Sequence, residues 1–212
     1  MLTAADLLLL SQWLSPAFPV GGFAYSHGLE AAVQAGEVRD AADLDAWLRD
    51  VLRHGAGRTD AILIACAQKG GDLADLDALA RAFCASATRR LETERQGHAF
   101  VEVVNAVWTL DLPPVTLPVA LGAAARARGL PLEPVLLVAL HAFAAQLVGA
   151  AARMSVLGQV AAQRLLAGLA PDLETIAAAA REAEVDDLGS AVPRADIAAM
   201  RHETLYSKVF RS

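Results

Sequence analysis

Cysteine and aromatic residues are scarce in this chain of 212 residues, which has two cysteines and only 5% aromatic residues. The cysteines, Cys66 and Cys84, lie far apart and form no CxxC pair. This spacing argues against a disulfide framework and against a metal site built from paired cysteines. We therefore interpret both as ordinary buried thiols in a protein of a reducing compartment.

Basic charge is also in short supply, since the formal net charge is −6 and the pI about 5.3. No segment gathers a stripe of Lys and Arg, which a protein needs to neutralise phosphates, so we do not expect nucleic acid as a partner. The N-terminus lacks the positive start and the cleavage site of a signal peptide, and its Leu7–Leu10 run is too short to span a membrane. We expect a soluble cytoplasmic protein.

Catalytic signatures are missing as well. The sequence contains no GxxxxGK[ST] phosphate loop, no GxSxG elbow and no HExxH pair. His202-Glu203 is half of the last motif, but Tyr206 stands where the second histidine would be. The competing interpretation is a metal-dependent helical-bundle enzyme that uses His98 and His141, but its ligands are not clustered in the sequence. We interpret His141 as a hydrogen-bonded core histidine.

The acidic residues are interpreted in the same way. Glu92-Thr93-Glu94 and the acidic residues of segment 181–187 could supply carboxylates to an active site. Solvated helix faces account for them equally well, because Asp and Glu are seldom buried without a partner. We therefore predict no catalytic residues, no metal ligands and no bound cofactor.

Alanine and aliphatic residues are what the sequence has in excess, with 55% hydrophobic residues in total. Helix-type spacing dominates, and nothing indicates a hairpin or a βαβ unit. We predict an all-α fold: one helical-bundle domain over residues 1–212, with about eight to ten helices, no β-sheet, and residues 200–212 as a docking tail. The uncharged stretch 135–152 predicts a central core helix, with a membrane-spanning helix as the alternative.

The pattern also predicts individual helices. Turn residues and periodicity place them at the following positions, among others: Ala4–Leu14, Phe23–Ala35, Ala41–His54 capped by Asp40, a helix capped by Thr59 or Asp60 that runs to Ala67, Thr88–Leu110, Pro134–Leu166 with a possible break near Gly158, and Ala195–Leu205.

Two segments carry more information than composition does. Residues 15–30 read SPAFPVGGFAYSHGLE, a Pro/Gly-rich turn followed at once by Tyr, Ser and His. Glycines let another backbone approach closely, and Tyr and His suit a contact surface. The C-terminal segment 200–212 mixes bulky apolar and basic residues, whereas a chain end usually frays. We expect this tail to dock, either on its own body or on a partner.

These segments resemble the urease accessory protein UreF family. The stretch 15–30 is similar to the family's N-terminal signature, and residues 197–212, IAAMRHETLYSKVFRS, are similar to its terminal one. Between them, ETERQG at 92–97 and RMSVLGQ at 153–159 with Gln163 resemble its two middle motifs. The four occur in the expected order, and together they cover nearly the whole chain. An adaptor unrelated to urease is the remaining alternative, which would make the four motifs a coincidence.

The resemblance implies an all-α protein, typically a homodimer, without catalytic chemistry. It implies a bridge between a nickel-handling GTPase of the UreG type and a scaffold protein of the UreD/UreH type, in an assembly that loads nickel into apo-urease. Nickel and GTP would be handled by these partners.

We expect partner contacts in the two terminal motifs and, as a second set, in the middle ones. The tail would become ordered when the scaffold protein binds. The first set is Gly21, Gly22, Tyr25, Ser26, His27, Glu30, Tyr206, Lys208, Phe210 and Arg211. The second set, for a dimer or partner surface, is Glu94, Gln96, Arg153, Gln159 and Gln163.

Overall fold

A computed structural model describes residues 2–212, and all of its regular elements are helices. The eleven α-helices are α1 Ala4–Trp13, α2 Leu29–Gln34, α3 Ala41–His54, α4 Ala56–Lys69, α5 Leu73–Ala82, α6 Ala87–Trp108, α7 Leu117–Ala127, α8 Leu132–Arg153, α9 Gln159–Gly168, α10 Ala170–Glu182 and α11 Pro193–His202. Two 3₁₀ turns lie at Gly22–Ala24 and Val185–Asp187. The predicted all-α class is confirmed, and the described residues contain one helix more than the expected eight to ten because the predicted Pro134–Leu166 helix is two helices.

The centre of the fold is α4, which is packed on α3, α7, α8 and α10. Nine of its fourteen residues are buried, seven of them in the unbroken run 61–67. Around it, the buried apolar side chains form one contiguous cluster. The predicted cap of α3 is confirmed, because the Asp40 carboxylate accepts hydrogen bonds from the N–H groups of Ala42 and Asp43. Apolar residues at helical spacing predict the buried side of α3, and all of them are buried: Leu44, Trp47, Leu48, Val51 and Leu52.

Helix α8 corresponds to the uncharged stretch 135–152. By length and composition it could cross a membrane, although 44% of its most apolar window is buried inside the protein. One helix of this kind is weak evidence for a membrane span, because the core helix of a globular protein has the same composition. It packs on α4, α9 and α10.

The helix predicted over Phe23–Ala35 is wrong in its first half. Only Leu29–Gln34 is helical, because His27 and Gly28 adopt left-handed backbone angles, with φ of +53° and +78°. The left-handed region cannot continue a right-handed helix. The chain therefore turns sharply here instead of running on from Phe23.

Other predicted bounds shift for identifiable reasons. Helix α4 begins at Ala56 instead of after Thr59, since Gly57 lies inside it, where a Cβ would come within 2.7 Å of the Cα atom of Leu52. The predicted Pro134–Leu166 helix is two helices, separated at residues 154–158. The last helix starts at Pro193, which takes the first helical position, where a proline is tolerated.

The single-residue predictions have mixed outcomes. Cys66 is buried as predicted, and Cys84 is half-buried with its thiol against the carbonyl of Ala80. Burial raises the pKa of both thiols, that of Cys84 to about 11. His141 is exposed on α8, so its interpretation as a core histidine is wrong.

Candidate functional site

The loop between α1 and α2 turns back on itself before α2 begins. Gly21 has a φ of +70°, and the 3₁₀ turn that follows leads into the left-handed pair His27 and Gly28. This path buries the side chains of Tyr25 and Ser26. It also brings Gly28 so close to α11 that a Cβ would lie 2.5 Å from the amide nitrogen of Ala199. Glycine is therefore required here both for its backbone angle and for its lack of a side chain.

The tail after α11 returns to this loop and pairs with it through the main chain. The N–H of Arg211 donates to the carbonyl of Ala24 at 2.7 Å. The N–H of Ser26 donates to the main-chain oxygen of Ser212 at 2.8 Å, and the Ser26 hydroxyl donates to the same oxygen. The last two residues of the C-terminal motif thus lie beside residues 24–26 of the N-terminal one and are joined to them by main-chain hydrogen bonds.

Glu30 is the first of two buried carboxylates that hold the tail. One of its oxygens accepts a hydrogen bond from the N–H of Val209 at 2.7 Å, and the other accepts one from the N–H of Phe210 at 3.0 Å. The second oxygen also lies 2.9 Å from Nε2 of His202, which is fully buried. Burial alone raises the pKa of Glu30, but these hydrogen bonds outweigh it, and the net effect is a lowered pKa.

Glu92 is the second buried carboxylate, and it comes from α6. His27 Nε2 lies 2.8 Å from one of its oxygens, and the Ser212 hydroxyl donates to the other at 2.7 Å. The amide group of Gln96 donates to the first oxygen at 3.2 Å. Burial raises the pKa of Glu92, but the charges of His27 and Arg89 and the hydrogen bonds from His27 and Ser212 outweigh this effect. The net result is a pKa of about 2. The carboxylate therefore remains ionised in the protein interior.

A third group closes the site from α8. The guanidinium group of Arg153 lies 4.5 Å from the ring centre of Phe210, and one of its nitrogens donates to the carbonyl of Phe23 at 2.5 Å. A cation over an aromatic ring is attracted to the ring's negative face. Phe210 itself is only 3% exposed. We call the surface formed by Ala24, Ser26, Glu30, Glu92 and Arg153 the tail seat.

Beneath His27, a cavity of about 60 Å³ extends towards Asp60 and Arg89. These two side chains form an ion pair at 3.1 Å, and burial raises the pKa of Asp60 in spite of Arg89. Nδ1 of His27 is buried without a hydrogen-bond partner. Within residues 2–212, no three His, Cys, Asp or Glu side chains lie close enough together to hold a metal ion.

When the tail occupies the tail seat, some side chains of the tail and of the loop that faces it remain exposed to solvent. Tyr206 is fully exposed, Val209 is 75% exposed, and Phe23 of the facing loop is 69% exposed. Lys208 and Arg211 are also exposed. We call these five residues the outer face. Aromatic residues and arginine, both present here, are enriched at surfaces that bind other proteins.

The structure brings most of the predicted residues together. The buried Ser26, His27, Glu30 and Phe210 form or touch the tail seat, and Tyr25 is buried beside it. Gly22 lies against Gln146 of α8, where a Cβ would be 3.0 Å from the amide oxygen. Two residues of the second set join this site, namely Gln96 and Arg153.

The rest of the second set lies elsewhere. Glu94 forms ion pairs with Arg81 of α5 at 2.8 Å and with Arg90 at 3.0 Å. Gln159 and Gln163 are exposed on α9, which packs on α3, α8 and α10, and neither side chain contacts a residue of the tail seat through a hydrogen bond found in residues 2–212.

Sequence reasoning missed two central residues. Glu92 is 1% exposed, so its interpretation as part of a solvated helix face is wrong. His202 is fully buried, and a signal for it was available: with Ala195, Ala198 and Ala199 it completes a buried stripe at helical spacing on α11. Glu92 had no such signal, because its partners are 65 or more residues away in the chain, at His27 and Ser212.

Comparison with known proteins adds independent findings. A family model described as UreF matches residues 38–170. Proteins named urease accessory protein UreF are similar over nearly their whole length. One from Cereibacter sphaeroides is 57% identical over 99% of this chain and 100% of its own. One from Roseobacter denitrificans is 51% identical over 97% of this chain and 93% of its own length. One from Ruegeria pomeroyi is 46% identical over 99% of this chain and 98% of its own length.

Proposed function

Because the chain belongs to the UreF family of urease accessory proteins, we propose that it acts in urease maturation as a non-catalytic adaptor. It binds a nickel-handling GTPase of the UreG type and a scaffold protein of the UreD/UreH type at the same time. The assembly acts on apo-urease and inserts nickel into it. Nickel and GTP are bound by these partners in the cytoplasm, which is consistent with the missing phosphate loop.

The observation that carries this proposal is the seated tail. Buried hydrogen bonds and the contact between Arg153 and Phe210 fix the main chain of residues 209–212. In this proposal Val209 and Arg211 of the outer face are therefore held in place before any partner arrives, instead of becoming ordered only when the scaffold protein binds. A preorganised surface loses less entropy on binding than a mobile one. We assign the scaffold protein to the outer face, with Tyr206, Val209 and Arg211 as its main contacts.

The buried members of the predicted site have a different role in this proposal. Ser26, Glu30 and Phe210 do not reach a partner but hold the residues that do. Tyr25 is 5% exposed, so Tyr25→Ala would open a cavity and lower stability as well as binding. It is therefore a poor probe of the partner surface.

A second surface serves the homodimer or the other partner. Val160 is 66% exposed on α9, and the exposed side chains of Gln159 and Gln163 flank it. These residues lie on α9, whereas the outer face is formed by the tail and by Phe23 of the loop after α1, so the two surfaces belong to different elements and we assign them to different partners.

The test is assembly measured by light scattering after size exclusion, with the scaffold protein and the GTPase, and with GTP and nickel present or absent. The variant carries Val209→Ala and Arg211→Ala, two exposed positions. We expect wild type to form a complex of defined mass and the variant to lose at least tenfold in affinity for the scaffold protein, since interface anchors contribute about 2 kcal/mol each.

The matched control is Val107→Ala, an equivalent truncation at a position 60% exposed on α6. It should bind like wild type, and far-UV circular dichroism should be the same for all three proteins. A wild-type chain that remains alone under every condition contradicts the adaptor function. A complex unaffected by the double substitution contradicts only the assignment of the outer face.

A further inference from the structure

The contacts that hold the tail are concentrated in its last four residues. Val209, Phe210 and Arg211 donate their N–H groups to the seat, and the main-chain oxygen of Ser212 accepts from Ser26. Only two tail side chains are buried, the Phe210 ring and Ser212, whose hydroxyl donates to Glu92. A four-residue segment thus carries nearly all of the recognition.

This mode of contact is that of a peptide-binding groove. Main-chain hydrogen bonds from a bound segment supply affinity whatever its side chains, and pockets for particular side chains supply specificity. Here the pockets accept residues two apart, an aromatic ring at 210 and a hydroxyl at 212. The side chains of Val209 and Arg211 are exposed to solvent, so they do not contribute to the specificity of the seat.

The connection between α11 and these four residues contributes little. Residues 203–208 are exposed except for the half-buried Leu205. Outside the connection, Leu205 packs against the edge of the hydrophobic core, and the remaining side-chain contacts are exposed hydrogen bonds: Gln34 donates to the carbonyl of Ser207 at 3.3 Å, and the Glu203 carboxylate accepts from the N–H of Ala87 at 2.7 Å. The connection therefore acts mainly as a tether, which raises the local concentration of the tail at the seat to the order of millimolar.

An empty seat would be unfavourable. Without the tail, the buried carboxylate of Glu30 loses two main-chain donors and that of Glu92 loses the Ser212 hydroxyl. Acceptors that have been removed from water and lose their partners cost free energy. The seat is thus built to be occupied by a peptide with these donors, from whichever chain the peptide comes.

We propose that the tail seat is a peptide-binding site that accepts the sequence Val209-Phe210-Arg211-Ser212 in trans, with the tail of a second copy of this chain as its occupant. Exchange of an identical element between protomers needs no new interface, because every contact already exists within one chain. The proposal does not rest on urease maturation or on any urease protein, so it can fail while the adaptor function holds.

The experiment uses the full chain with its own tail disabled by Phe210→Ala and Ser212→Ala. A fluorescein-labelled peptide of residues 204–212 is titrated with this variant, and binding is measured by fluorescence anisotropy. We expect saturable binding to the variant and at least tenfold weaker binding to the wild-type chain, where the tethered tail competes. Because the wild-type tail is also held by its own seat, unlabelled wild-type chain should displace the peptide from the variant only at a large excess, through the fraction of its tails that leave that seat.

The matched control is the same peptide carrying Phe210→Ala and Ser212→Ala, which should bind at least tenfold more weakly than the natural peptide. Absence of binding to a folded variant, or equal binding of the two peptides, overturns the proposal. Failure of the wild-type chain to displace the peptide overturns the second copy as the occupant. If the variant does not fold, wild type is titrated with the natural peptide to several millimolar and followed by NMR. Unchanged amide resonances of Phe210 and Arg211 in the chain's own tail, which the bound peptide would displace from the seat, then count against the site.

Discussion

Glu92 is the residue at which the loop after α1, helix α6 and the tail meet. Its carboxylate contacts His27 and Ser212, which are separated by most of the chain. A buried carboxylate is tolerated only when its interactions exceed the cost of removing it from water. Its pKa of about 2, against an ordinary value of 4.5, indicates that the interactions prevail. The charge of Glu92 is therefore a source of stability that depends on pH.

The first prediction concerns this dependence. Since the pKa of Glu92 is lower in the folded state, its contribution is complete above about pH 4.5 and is lost as the pH falls towards about 2. The shift corresponds to a contribution on the order of 3 kcal/mol, at about 1.4 kcal/mol per pKa unit. Glu92→Gln should therefore destabilise the protein most at pH 7, and its difference from wild type in free energy of unfolding should shrink below pH 4.5.

Urea unfolding of both proteins at pH 7, 5, 4 and 3 measures this difference. Glu94→Gln is the matched control, because Glu94 is half-buried on the same helix and pairs only with Arg81 and Arg90. Its effect should be about 1 kcal/mol or less at every pH. If the difference in free energy of unfolding between Glu92→Gln and wild type were the same at every pH, the ionised carboxylate would not be the source of the pH-dependent stability.

At the scale of elements, α2 and α11 approach each other at Gly28, and the second prediction follows from this contact. Gly28→Ala forces a side chain into a left-handed backbone and within 2.5 Å of the Ala199 nitrogen. Gly36→Ala imposes the same backbone cost, with a φ of +72°, in open space. The backbone cost is about 1–2 kcal/mol, so we expect about that loss at Gly36 and at least about 3 kcal/mol at Gly28. Chemical denaturation measures the free energy of unfolding of both variants. Equal losses in the two would mean that α11 moves away from residue 28 at no cost in stability.

The third prediction concerns the crossing of α4 and α7 in the core. Gly122 of α7 lies so close to α4 that a Cβ would be 2.4 Å from the carbonyl oxygen of Ile64. Gly122→Ala should destabilise the protein by about 2 kcal/mol or more, because the helices must separate. Gly149→Ala on α8 meets nothing within 4 Å and should stabilise by about 0.5–1 kcal/mol, as alanine favours the helix. Thermal melting shows whether each substitution raises or lowers the melting temperature. A higher melting temperature for Gly122→Ala would contradict this packing.

These elements also show how much of the fold was predictable. Helix α3 was predicted with its cap and its buried face, because both signals lie within fourteen adjacent residues. Helix α4 starts before the predicted cap at Thr59 or Asp60, since Gly57 lies inside the helix and its role depends on a contact with Leu52 across the bend between α3 and α4. Local patterns thus identified helices well, and misplaced bounds arose where a glycine or a left-handed residue serves tertiary packing.

At the scale of the whole molecule, the candidate site is assembled from residues at both ends of the chain and from its middle. The terminal motifs were recognised as important, but their pairing through Ser26 and Ser212 could not be predicted from either motif alone. Nor could the burial of Glu30, which is at the start of a six-residue helix without an amphipathic signal. The site depends on the tail's return path, and no local pattern encodes that path.

The last prediction is that the molecule unfolds as one unit. The ring centres of Trp13 in α1 and Trp108 in α6 lie 5.7 Å apart. Trp47 is buried in α3. The buried apolar residues of these regions belong to one cluster, so neither region has a core of its own. In Trp47→Phe, fluorescence reports the α1 and α6 region, and in a Trp13→Phe, Trp108→Phe chain it reports α3. Within each variant, the urea midpoint from fluorescence should match that from far-UV circular dichroism. A fluorescence transition at lower urea in one of them would mean that its region unfolds separately, and that the bundle is less cooperative than a single shared core requires.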